Sequence, residues 1–162
     1  MDIEIIYKDK RIVKTNNLAD LPNNINEIVS VQFNNYTKDD IRLIETQFNL
    51  DTTILNNSDD IEISSHYFEN EKQIGINFSI PFFRSENQII NEESVCFILL
   101  GNTVFSFAAI DLEEFIPEKH KKIYFEKINT VTGHSYLISV HDILSDYLAD
   151  LTEIISKKIK SS

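Results

Sequence analysis

The residues that could do chemistry in this chain are few, and most are carboxylates. Adjacent acids occur at Asp39-Asp40, Asp59-Asp60, Glu92-Glu93 and Glu113-Glu114. Neighbouring acids usually mark a helix start, where the backbone dipole favours anions, or a solvated corner, and three of the pairs read that way. Asp59 and Asp60 stand apart because they follow "TTILNNS", a stretch rich in oxygen donors. Hard cations such as Mg2+ favour carboxylates and water, so these two residues are the metal-site candidates, with a weakly held, hydrated ion as the expected ligand.

The four histidines, His66, His120, His134 and His141, invite the same test. "VHDIL" sets His141 beside Asp142, a doublet also found in metal-dependent phosphohydrolases. Neighbouring side chains on a helix diverge by about 100 degrees, so the doublet alone cannot chelate one ion and reads as ordinary helix surface. With three glycines in the chain, neither a G-x-G-x-x-G loop nor a P-loop can be assembled. There is no G-x-S-x-G elbow, and the single cysteine, Cys96, lies in the apolar run "SVCFILL" as a buried hydrophobe. The expectation is a protein that is not an enzyme and that carries no catalytic residues.

The elements that must position these residues follow from periodicity. "DIEIIY" and "RIVKT" form a first hairpin, "LADLPNNINEI" is turn-rich, and "EIVSVQF" is an interior strand. Thr37 is a good N-cap for a helix in which Ile41, Ile44 and Phe48 share a face, and a shorter helical turn follows at "LDTTILNN". "IEISSHYFEN" and "QIGINFSIPFF" alternate as half-buried strands. "SVCFILL-GN-TVFSFAA" has two β-rich arms around a Gly-Asn turn, and its unbroken apolarity predicts a hairpin covered on both faces. "DLEEFIP" and "EKHKKIYFEKI" read as helices, and Gly133 breaks the chain before a long amphipathic terminal helix. In that helix Leu137, Val140, Leu144, Tyr147, Leu151 and Ile154 form an apolar seam, opposite Asp142, Asp146, Asp150 and Glu153.

The chain has 162 residues, of which 42% are apolar, enough for one core and one domain over 1–162. A net charge of -11 repels phosphate backbones, so nucleic acid and anionic lipid surfaces are unsuitable partners. No signal peptide is visible, and "SVCFILLGNTVFSFAAI" is too interrupted for a membrane span of about 20 residues, so the expected location is intracellular. Strands with one helical excursion, then helices only, predict an α/β domain: a mixed parallel and antiparallel sheet with helices packed on it and a helical C-terminal end.

The succession of segments resembles the cytosolic N-terminal domain of the CorA-like magnesium and divalent-cation transporter family. "VSVQFNN" stands before the helix, "QFNLDTTILNN" at its end, "IEISSHYFEN" as the next strand, "VCFILLGNTVFSF" as the hairpin and "SYLISVHDILSDYL" as the closing helix. This order spans residues 28–160. The usual Trp before the helix and the Arg-Pro before the next strand are absent. The family's regulatory acid falls at Asn57, which leaves Asp59 or Asp60 as its replacement.

The resemblance implies an α/β/α sandwich that serves as a regulatory domain on the cytoplasmic side of the membrane. It would sense magnesium and gate a pore within a homopentamer whose stalk and transmembrane segments lie beyond Ser162. The alternative is a free-standing interaction module that binds a helical partner through its C-terminal helix.

Overall fold

A computed structural model describes residues 1–56, 65–84, 89–109 and 132–161. Seven strands form one sheet in the order β2-β1-β3-β7-β6-β5-β4. They are β1 (Asp2–Tyr7), β2 (Ile12–Thr15), β3 (Ile28–Asn34), β4 (Ser65–Glu69), β5 (Gln73–Arg84), β6 (Ile89–Leu100) and β7 (Thr103–Ala108). β3 and β7 run parallel, and all other neighbours are antiparallel. The expected mixed sheet is therefore present, with its single parallel pair at the centre. The strands paired there are the two whose residues are all buried. Apolarity on both faces is what a strand needs to sit between two layers.

The layers follow from side-chain alternation. Val31, Phe33, Cys96, Ile98, Phe105 and Phe107 point to one face, where they pack with Ile44 and Phe48 of helix α1 (Lys38–Phe48) and Ile54 of the short helix α2 (Thr53–Asn56). Val29, Val95, Phe97, Leu99, Val104 and Ala108 point to the other, against Tyr136, Val140 and Leu144 of helix α3 (Gly133–Ser161). Two cores on opposite faces of one sheet make the α/β/α sandwich. On the α1 face Phe33 stacks on Phe107 at 5.2 Å, and Phe48 leans on Phe105 at the same distance.

α1 begins as its sequence predicts. Thr37 accepts from the Asp40 N–H, while Asp40 accepts from the Thr37 N–H at 2.8 Å, a reciprocal cap that satisfies two otherwise orphaned donors. Asn49 closes the helix in the left-handed region, with φ 51°.

The structure differs from expectation at Gly133. It is the first residue of α3 rather than a break before it, and Thr132 and Ser135 cap the helix through mutual hydrogen bonds. A β-carbon on Gly133 would sit 2.1 Å from the carbonyl oxygen of Asn102, so the residue is glycine because α3 begins directly on the β6–β7 turn. Gly101 in that turn has φ 61°, as the hairpin reading requires.

The pair Glu92-Glu93, read as a corner, lies within β6 opposite Pro81 and Ile80. The strand runs on past the pair, from "SVCFILL" back to Ile89, although Asn91, Glu92 and Glu93 between are polar.

The first half of the apolar seam of α3 faces the sheet. Val140 and Leu144 are buried, and Leu137 and Tyr147 are partly buried against the sheet, so this part serves the domain's own core. Tyr136, among the largest fully buried side chains, belongs to the same contact although it stands off the seam. The stretches "DLEEFIP" and "EKHKKIYFEKI" and the first four residues of "IEISSHYFEN" lie outside the described residues.

Candidate functional site

Asp59 and Asp60 lie outside the described residues, as does Asn57. What the structure shows is the platform bordering them. α2 leads toward them, and β4 receives the chain after them. The loop Asn49–Thr52 that delivers α2 is fastened from both sides. Thr52 donates its hydroxyl to the Glu45 carboxylate, and the Leu50 N–H donates to the Glu45 carbonyl at 3.2 Å. The Asp51 N–H donates to Gln73 Oε1 at 2.9 Å, and Gln73 Nε2 donates back to the Asp51 carbonyl at 2.6 Å.

Gln73, buried at the start of β5, thus imitates a neighbouring strand with its side-chain amide. Asn70 holds the β4–β5 turn by accepting from the Lys72 and Gln73 N–H groups. Thr53 donates both its hydroxyl and its N–H to Asp51 Oδ1, which holds the Asp51 carboxyl below its usual range.

An open cleft of about 430 Å³ lies between these elements, lined by Asn49, Leu50, Asp51, Asn70, Glu71, Lys72 and Gln73. It presents carboxylate and amide oxygens, the donor set that a hydrated hard cation accepts, alongside one competing ammonium from Lys72. No three His, Cys, Asp or Glu side chains converge on a common point among the described residues.

A second cleft, of about 500 Å³, opens where β1 meets β2 and is lined by Asp2, Ile3, Glu4, Lys14, Thr15, Asn16 and Asn34. Its acids are already engaged. Lys14 lies 3.6 Å from Glu4, and Asn35 Nδ2 donates to Asp2 at 2.7 Å. Behind it runs a polar row buried on the α3 face. Gln32 donates to Asn34, and Asn34 donates to the Ala108 carbonyl at 3.1 Å. Reading "EIVSVQF" as an interior strand missed this row, although its signal was present: Ser30, Gln32 and Asn34 recur at the strand period of two.

The remaining candidates separate. Asp40 caps α1, and Asp39 lies 3.5 Å from Arg42 in an exposed pair, so both serve the helix start. His141 and Asp142 are exposed on α3, with the His141 ring 6.0 Å from Phe78, as a helix-surface histidine. Cys96 is buried, and burial pushes its thiol up to about 12, far from a nucleophile's range. No helix of the described residues is long and apolar enough to cross a membrane.

No protein-family profile matches this sequence, and no curated protein does. Solved structures do. The complete CorA magnesium transporter of Methanocaldococcus jannaschii superposes over 99% of this chain and 49% of its own, with 11% identity and a TM-score of 0.68. The soluble domain of the same protein covers 98% of this chain and 63% of its own, at 13% identity and TM-score 0.59. The cytoplasmic domain of ZntB from Vibrio parahaemolyticus RIMD 2210633 covers 99% and 62%, at 11% identity and TM-score 0.55. The chain thus spans about half the length of the full transporter it matches. With its seven-stranded mixed sheet and C-terminal helix, this chain has the fold of the CorA soluble domain.

Proposed function

We propose that this chain is the soluble domain of a CorA-like divalent-cation transporter, a regulatory and non-catalytic module on the cytoplasmic side of the membrane. The observation that carries the reading is the fold, shared over 99% of the chain with a complete magnesium transporter. In this reading the domain works within a homopentamer, and Mg2+ occupancy biases closure of a pore formed by segments outside this sequence. Asp59 and Asp60 hold the ion through water.

Two measurements test it. The coding sequence beyond Ser162 should continue into a long helix and two apolar spans, and an immediate stop codon would overturn the transporter assignment. Thermal unfolding should respond to Mg2+ only at concentrations on the order of millimolar, because a hydrated ion makes indirect contacts. A midpoint raised strongly by micromolar Mg2+ would refute the weak-site reading, and an unchanged response in Asp59→Asn/Asp60→Asn would remove these two residues from it.

A second reading, a free-standing module that binds a helical partner, is favoured by the exposed Ile138 and Ile159 of α3, at 64% and 69%. It predicts a defined complex that Ile138→Asp or Ile159→Asp abolishes while leaving the domain folded.

A further inference from the structure

We draw no further inference here: the strongest candidate, the two-stranded β5–β6 ribbon whose Ser79–Arg84 and Ile89–Ser94 backbones run past the ends of β4 and β7, is an unpartnered pair of strand edges, and nothing among the described residues shows what covers it.

Discussion

Ser30 Oγ and Ser106 Oγ are buried on the α3 face without a hydrogen-bond partner. A buried hydroxyl that gains no bond has lost its hydration for nothing, so its removal should be harmless. Ser106→Ala is expected to leave stability unchanged or to raise it by up to about 1 kcal/mol in urea unfolding. A loss larger than that would show that the hydroxyl is bonded in solution. Cys96 carries a pH dependence of definite sign. Burial favours its neutral thiol, so its folded pKa is pushed up to about 12 from an ordinary 9.0. That contribution is complete below about pH 9 and is lost as pH rises toward 12. Tyr36, also raised by burial, adds in the same direction. Alkaline titration of stability should therefore slope downward above pH 9, and Cys96→Val should flatten the slope. The native thiol should resist a disulfide reagent at neutral pH and react on unfolding.

At the scale of elements, the joints are more sharply specified than the elements. Gln73 closes two backbone bonds of the loop before α2, and truncation strands a part-buried N–H and a part-buried carbonyl. Gln73→Ala should destabilise by about 1–3 kcal/mol, measured by the shift of the urea midpoint at constant slope. Gly133→Ala forces a β-carbon against the Asn102 carbonyl, and a similar loss of about 1–3 kcal/mol is expected from the displaced helix. A neutral outcome would show that α3 can lift off the β6–β7 turn.

β5 shows why periodicity does not settle which face is inside. Ile74, Ile76 and Phe78 alternate with Gln73, Gly75 and Asn77, and the usual assignment buries the apolar set. Here the polar set is the more enclosed. Ile54 lies close over Gly75, Gln73 bonds the α2 loop, and Asn77 accepts from Ser94 at 2.7 Å. Pro81 has no N–H to donate and lies in the part of β5 that pairs with β6 beyond the end of β4.

At the scale of the whole molecule, a net charge of -11 on a single sheet with two helical layers implies self-repulsion in the folded state. Raising monovalent salt from about 0.01 M to about 1 M shortens the screening length from roughly 30 Å to 3 Å, so the unfolding midpoint should rise with NaCl. A midpoint that falls would mean that attractive pairs, such as Lys157 with Glu153 at 3.1 Å, outweigh the repulsion. α3 is the other feature of this scale. Its 29 residues extend about 43 Å, and among the described residues its buried side chains Tyr136, Val140, Ile143 and Leu144 lie in the N-terminal half.

Local properties were legible in the chain itself. The Thr37 cap, the Gly-Asn turn and the doubly apolar β7 depend on neighbours a few residues away. Their physics is complete within a short window, so the strands, α1 and the layered class could be read directly. The order of strands, the parallel meeting of β3 with β7, the enclosure of the polar face of β5 and the seat of Gly133 on Asn102 join residues far apart along the chain. They were decided only by tertiary packing, because each depends on which distant surface arrives to exclude water.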